Sequence, residues 1–448
     1  MTHPDPSTAQ PRVLVICNDK IGKQMAGPAI RAYELAKALR PHVREVVLAS
    51  VETDAEPLED FAVVYYHIRD QRALKPLIAR ADVIVAQPQW PLVAAWMRGS
   101  GARLVFDLYD PEPLEVLEFL SDRGPLLRRM LDTLTVDRVL DALHDGHHLL
   151  CASEKQRDLW LGTLLAERLL GPAAYDRDPS LRSWIDLVPF GVPADPPSPV
   201  PGAPGPRERF APQIGPDDEV VLWNGGIWNW LDAPTAVRAV ARLAARRPQV
   251  RLVFMGAASA GAGRRAADDV RRVAGELGVL DRLVFLNSAW VPYAERANWL
   301  LGADVAISTH TEHLETRFAF RTRLLDCFWS GLPVVCTEGD DLAERVARDD
   351  LGAAVPQRDA GAVAAALERV LDRGRPAYAP ALARAAAAFT WPRVAEPLVR
   401  FALQGRAGPP SRGGLVRRRP LHLARGLGYR AGRTTLNAAG LKDWPQLG

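Results

Sequence analysis

Seven prolines fall between Pro193 and Pro206, mixed with glycine and alanine. Proline fixes φ and carries no N–H, so a run this dense is expected to form neither ladder nor helix and to run extended. It therefore cuts the chain. On each side the same pattern recurs: a short apolar run, a polar or glycine-bearing loop, then apolar residues at helical spacing. Before the cut, Arg12–Cys17, Val43–Ala49, Phe61–His67, Val83–Ala86, Leu104–Phe106 and His148–Ala152 read as strands. After it come Glu219–Trp223, Arg251–Met255, Leu283–Leu286, Asp304–Ser308, Val334–Cys336 and Ala353–Val355. Such β-α alternation predicts parallel sheets covered on both faces. The expected fold class is α/β, with two doubly wound, Rossmann-like parallel-sheet domains facing a cleft. The expected boundaries are 1–191 for the first domain, 192–218 for the linker, 219–390 for the second domain, 391–404 for a last helix and 405–448 for a flexible basic tail.

Composition narrows the class. A chain of 448 residues is too long for one ordinary core, and an apolar share of 48% supports a globular protein. No segment approaches the roughly 18 consecutive apolar residues of a membrane helix. The start, MTHPDPSTAQP, is polar and proline-bearing, unlike a signal peptide or amphipathic presequence. Cys17, Cys151, Cys327 and Cys336 show no ligand spacing, which points to reduced buried thiols in a cytoplasmic protein. Charge is uneven. Residues 405–448 hold eight arginines and one lysine against a single acid, giving +8 and leaving −5 on the rest of a chain whose net charge is +3. Such a tail is either solvated or in contact with an anionic membrane surface. Nucleic acid is not an expected partner, because no recognition fold accompanies the charge.

The stretch from Ala303 to Asp340 holds the densest chemistry. It reads strand, polar loop, helix, Gly-Leu-Pro turn, strand. His310, Glu312, His313, Glu315 and Arg317 sit in the loop at the carboxyl end of the first strand, where ligands bind in open parallel sheets. Arg321, Thr322 and Arg323 open the helix, where backbone N–H groups attract anions. The plainer reading makes Arg321 and Arg323 solvated residues paired with Glu315 or Asp326. The His-x-Glu-His-x-Glu spacing matches no standard metal helix, so no metal is expected. Trp228 and Trp230 are candidates for a stacking platform, whereas Trp299 and Trp329 have the spacing of core residues. In the first half, Gly22, Gly27 and Arg31 follow the first strand, as either an anion-binding turn or a plain β-α turn. His144, His147 and His148 would share a face on a helix, but no carboxylate or second cluster joins them.

These segments together resemble the retaining, nucleotide-sugar-dependent glycosyltransferases of family 4, which have the GT-B fold. Asp326, Ser330, Gly331, Leu332, Pro333, Val334 and Val335 fill that family's pattern of helix acid, small residue, Gly, Leu or Thr, Pro and apolar strand. Leu187–Val192 resembles the V-P-x-G-V turn closing the first domain, and Trp391-Pro392 the start of a crossover helix that returns to it. The resemblance implies transfer of a sugar from a nucleotide-diphosphate sugar to a glycan, glycolipid or small-molecule acceptor, without metal or other cofactor. It implies donor binding by Asn224, Gly225, Gly226, Trp228, Glu315, Thr322 and Asp326, with Asp326 accepting from the ribose. Gly22, Gly27 and Arg31 would line the acceptor or phosphate loop. Asp107 or Asp110 would either contact an acceptor hydroxyl or cap the next helix.

The sequence also departs from that pattern. The usual Arg-Lys clamp after the paired glycines is replaced by Ile227, Trp228, Asn229, Trp230 and Leu231. Phe318 replaces the first acid of the family's pair, and Phe106 stands where a His precedes the acceptor-side acid. The expectation is that Arg317, Arg321 and Arg323, with the Thr322 hydroxyl and the Gly225–Gly226 amides, hold the diphosphate, and that His310 or Glu312 reaches the sugar. Arg321, Arg323, Asp107 and His310 are the expected catalytic set. An epimerase or phosphorylase of the same fold, or a non-catalytic sugar-nucleotide-binding subunit, are the competing readings.

Overall fold

The computed structural model describes residues 10–23, 25–51, 62–121, 124–257 and 263–404, with 424 and 428. The described residues form two compact units, one from the part of the chain up to Phe190 together with the part from Trp391 on, the other Gly191–Thr390. Each is built on one parallel sheet flanked by helices, as β-α alternation requires. The first sheet has seven strands: β1 (Arg12–Ile16), β2 (Glu45–Val51), β3 (Ala62–Tyr66), β4 (Val83–Ala86), β5 (Arg103–Asp107), β6 (His148–Cys151) and β7 (Ile185–Leu187), in the order β3-β2-β1-β4-β5-β6-β7. The second has six: β8 (Glu219–Gly226), β9 (Val250–Gly256), β10 (Val284–Leu286), β11 (Val305–Ser308), β12 (Val334–Thr337) and β13 (Gly352–Val355), in the order β10-β9-β8-β11-β12-β13. Every strand pair in both sheets is parallel. β4, β11 and β12 are buried at every residue, which is why they read as unbroken apolar runs.

The order of each sheet fixes where a ligand can enter. Strand order reverses between β1 and β4 in the first unit and between β8 and β11 in the second. At such a switch point the loops leave in opposite directions and open a crevice at the strands' carboxyl ends. In the second unit that crevice faces the start of the helix Arg323–Ser330. Leu324, Leu325, Cys327 and Phe328 bury that helix, and Gly331 ends it at φ +64°, a left-handed conformation in which a side chain would be strained.

The proline-rich segment departs from expectation. Residues 191–218 belong to the second unit, and Pro206–Arg209 is a short helix with Pro206 in its first turn, where the missing N–H costs nothing. A sequence unable to pair with a strand has instead been satisfied by side chains. Asn298 Oδ1 accepts from Val200 N at 2.8 Å, while its Nδ2 donates to the carbonyls of Val200 and Ala203 at 3.0 and 2.7 Å. Arg207 donates to the carbonyls of Gly302 and Asp218 and to Asp304.

At the other end, the helices Trp391–Val394 and Glu396–Gln404 belong to the first unit. Trp391 packs on Phe190 at 4.9 Å between ring centroids, and His148 stacks on Phe401 at 4.6 Å. Arg103 donates to the carbonyls of Phe401 and Ala402, which the end of a helix leaves without partners. The basic tail, apart from 424 and 428, lies outside the described residues. Among the described residues, no helix is long and apolar enough to cross a membrane.

Candidate functional site

The crevice of the second unit is lined by three strand ends. β8 closes with Asn224, Gly225 and Gly226. Gly225 adopts φ +96°, and a Cβ there would lie 3.8 Å from the Arg323 guanidinium carbon. The pair therefore brings backbone against an arginine. The Gly226 carbonyl accepts from Arg323 Nη2 at 3.1 Å, so a carbonyl faces the arginine where amides were expected. The side-chain amide of Asn224 donates to the Arg323 carbonyl at 2.7 Å, and its oxygen faces Cys327 Sγ. Asn224 thus ties β8 to the helix and is not presented to a ligand. The Arg323 guanidinium also lies 5.5 Å over the Trp223 ring.

β11 delivers His310, 1% exposed. Its backbone N–H donates to Thr337 Oγ1 at 2.9 Å, and its Nδ1 lies 2.7 Å from the same oxygen. Thr337 ends β12, so a strand neighbour fixes the imidazole. Next along the loop, Glu315 accepts from Arg321 Nη2 at 3.0 Å, and both side chains are buried. Arg321 Nε lies 3.9 Å from Asp340, whose Oδ1 caps the helix Asp341–Arg348 by accepting from Leu342 and Ala343. Gly339, at φ +123°, brings its backbone close to His310 Nε2.

Charge is poorly balanced in this group. Arg321 has Glu315 as partner. Arg323 makes no ion pair among the described residues. Burial, with the like charge of Arg321 beside it, pushes the Arg323 guanidinium down to about 10. Burial and Arg321 hold His310 down to about 3, so its imidazole is neutral at physiological pH. Three buried nitrogens, His310 Nε2, Arg321 Nε and Arg323 Nη1, lack a hydrogen-bond partner among the described residues. Native structures seldom leave such groups unmet, and a bound ligand is one ordinary way to meet them.

Burial raises the Asp340 carboxyl to about 6, outweighing the opposing pull of Arg321. The folded chain then holds a proton that the unfolded chain has lost between about pH 4 and 6, so this group's contribution to stability falls as pH rises through that window. Asp340→Asn keeps a capping oxygen and does not titrate. Relative to the native chain, the variant is expected to gain up to about 3 kcal/mol between pH 4 and pH 7, read by urea denaturation at both values. A gap that stays constant or moves the other way would show that this carboxyl is not raised.

The other expected residues are distributed unevenly. Glu312 and Arg317 are exposed and stand apart from the buried group. Thr322 occupies the N-cap position without using its hydroxyl as a cap. Asp326, 30% exposed at its side chain, pairs with Arg296. Trp228 and Trp230 stack at 5.6 Å and 6° between planes, and the Trp228 indole lies against Gly226, where a Cβ would come within 3.2 Å of Nε1. Trp299 is core, as its spacing suggests, but Trp329 is half-buried and lies on Arg296. Thr337, Gly339 and Asp340 were not singled out from sequence. Their place just beyond the next strand of the switch-point sheet is the signal that finds them.

In the first unit the expected acceptor-side residues turn on one another. Arg31 Nε and Nη2 donate to the two oxygens of Asp107 at 2.6 and 2.8 Å, and Nη2 and Nη1 reach the carbonyls of Val188 and Pro189. Asp107 neither caps the next helix, which begins at Glu112 behind Pro111, nor presents a free carboxylate. Arg31, 1% exposed and 4.5 Å over the Tyr109 ring, is not held toward a phosphate loop. Asp110 lies in the turn, its carbonyl accepting from Glu112 N. Gly22 has φ +149°, and Gly27 begins the helix Gly27–Leu39 with room for a Cβ. The three histidines do not converge: His144 meets Glu167, His147 accepts from Leu104 N, and His148 faces the Ser183 carbonyl. Among the described residues no group of three or more His, Cys, Asp and Glu side chains is placed to hold a metal ion.

The crevice of the second unit coincides with a recognisable family segment. Residues 218–373 match the family model of the group 1 glycosyl transferases. A curated relative, D-inositol 3-phosphate glycosyltransferase of Mycolicibacterium smegmatis, is 32% identical over 220 residues, covering 49% of this chain and 47% of its own length. The chain therefore matches about half the length of that glycosyltransferase. Among solved structures, HepE of Anabaena in complex with UDP-glucose superposes with a TM-score of 0.63 over 88% of this chain and all of its own, at 14% identity. Sucrose-phosphate synthase of Thermosynechococcus elongatus gives 0.59 over 88% and 98%, at 16%. WaaG, a glycosyltransferase involved in lipopolysaccharide biosynthesis, gives 0.59 over 88% and 100%, at 15%. At these identities the likeness establishes the fold, two Rossmann-like parallel-sheet domains of the GT-B type.

Proposed function

We propose that this protein is a retaining glycosyltransferase that moves a sugar from a nucleotide-diphosphate sugar to a hydroxyl of a glycan, lipid-linked or natural-product acceptor. The observation that carries the reading is Arg323, which has no acid partner among the described residues, beside the unmet nitrogens of His310 and Arg321. An uncompensated cation in a crevice calls for an anion, and the match to group 1 glycosyl transferases over 218–373 makes a diphosphate the fitting one. Cleavage of the sugar–phosphate bond leaves negative charge on the diphosphate. Donors already in place stabilise that charge without reorganising. Arg321 and Arg323 would take this role in place of the usual Arg-Lys clamp, and neutral His310 would donate from Nε2. The acceptor hydroxyl attacks the anomeric carbon on the face the diphosphate leaves. Its proton passes to a phosphate oxygen, so the step balances without a side-chain base. Trp228 and Trp230 would offer an aromatic surface beside the diphosphate. Asp326 would accept from the donor ribose. A cytoplasmic location and contact of the tail with anionic membrane belong to the same proposal.

The test incubates the full chain with radiolabelled nucleotide sugars, with and without an acceptor panel. Label moving to an acceptor, with release of a nucleoside diphosphate, supports transfer. Conversion of the nucleotide sugar without acceptor would replace this reading by an epimerase. Binding without turnover of any kind would replace it by a non-catalytic subunit.

A further inference from the structure

Arg296, the partner of Asp326, is itself closely held. It begins the helix Arg296–Leu301 and is 7% exposed. Its guanidinium carbon sits 3.7 Å from the Tyr293 ring centroid and 4.7 Å from that of Trp329. Nη1 donates to the Tyr293 carbonyl at 2.7 Å, and Nε donates to Asp326 Oδ1 at 3.1 Å. Trp329 is fastened in turn, its Nε1 donating to the Asp195 carbonyl at 2.8 Å. A planar cation lying against two rings and bonded at Nη1 and Nε is restrained, and it orients the carboxylate that it bonds.

We propose that Arg296 is a positioning residue that aims the Asp326 carboxylate at the vicinal hydroxyls of a ribose. The proposal rests on the donor reading above. Asp326 keeps 30% of its side chain exposed against 9% for Arg296, so the acid stands in front and the cation behind it. An ionised carboxylate accepts and does not donate, so it selects hydroxyl donors and rejects phosphate. Two adjacent hydroxyls match its two oxygens. Asp326 follows Arg323 by three residues on one helix, which puts their side-chain roots about 5 Å apart on one face. A diphosphate on Arg323 therefore leaves its ribose beside Asp326.

Calorimetric titration of the full chain tests this with inorganic pyrophosphate, a set of ribonucleoside diphosphates, and the 2′,3′-dideoxy form of the tightest. The native chain is expected to bind the ribonucleotide about tenfold more tightly than its dideoxy form, the worth of a hydrogen bond to a charged group. Arg296→Gln should reduce that ratio to about two, leave pyrophosphate affinity unchanged and be partly rescued by Arg296→Lys. Adding Asp326→Asn to Arg296→Gln should cost nothing further, since both act through one contact. A ratio that survives in a folded Arg296→Gln chain overturns the assignment. Should that variant not fold, a native ratio near one, or a ratio retained in Asp326→Asn, overturns it instead. Failure of the native chain to bind pyrophosphate or any nucleoside diphosphate would sink the donor reading and this inference together. Pyrophosphate binding with an unaltered ratio sinks only this one.

Discussion

Arg323→Met is expected to lower the rate of sugar transfer by about 10²–10³-fold, the scale of removing one placed donor from a developing oxyanion. The same change should leave the melting temperature of the ligand-free chain unchanged or raise it. The two halves of this expectation come from one feature. A structural arginine is held by acids, and losing it strands them. Arg323 strands none, because its side-chain contacts are the Gly226 carbonyl and the Trp223 ring. Methionine keeps an apolar stem at this position and removes a charge whose burial costs free energy. In the bound state the balance reverses, since the diphosphate then lacks its counter-charge. The check is differential scanning calorimetry with and without a nucleoside diphosphate, alongside transfer assays. Native-like turnover in Arg323→Met, or a clear loss of ligand-free stability, would assign Arg323 to the scaffold.

Arg321 offers a useful contrast and shows how far sequence reaches. Arg317, Arg321 and Arg323 look alike in the sequence, each beside the same helix start. In the fold they part. The turn Glu315–Phe318 buries Glu315 and Thr316 and leaves Arg317 outside, while Arg321 goes to Glu315 and Arg323 to a carbonyl 97 residues away. Local spacing was enough for twelve of the thirteen strands, since buried parallel strands are apolar throughout, but not for the three-residue Ile185–Leu187 with Asp186 at its centre; it was enough for Gly331, since only a left-handed stop suits that turn. It makes His310 and Glu315 candidates too, because loops at strand ends of an α/β sheet are where sites form. It could not decide partners. The contacts of Arg31 with Asp107, of Asn298 with Val200 and of Thr337 with His310 span 76, 98 and 27 residues. No local period encodes them. The proline-rich segment is the same lesson inverted: composition excluded a ladder, but Asn298 and Arg207 supplied the partners that composition could not foresee.

Asp107→Ala is expected to destabilise the chain by about 3–5 kcal/mol, the cost of leaving one member of a buried ion pair alone. Arg31 is 1% exposed and Asp107 7%, and two bonds of 2.6 and 2.8 Å join them in a fork. Without the carboxylate, the guanidinium keeps, among the described residues, the Val188 and Pro189 carbonyls and the Tyr109 ring. None of these carries a neutralising charge. The double change Arg31→Met with Asp107→Leu should recover most of the loss, because a buried pair exchanged for apolar groups of similar size is often neutral. Urea denaturation of the three proteins measures both effects. The alternative role for Asp107, direct contact with an acceptor hydroxyl, makes the opposite forecast. Alanine would then raise the acceptor KM and leave the unfolding midpoint where it was, and the double change would rescue nothing. A carboxylate with both oxygens already held by one guanidinium favours the first outcome, and so assigns Asp107 to holding the helix Gly27–Leu39 and the segment after β7 against β5.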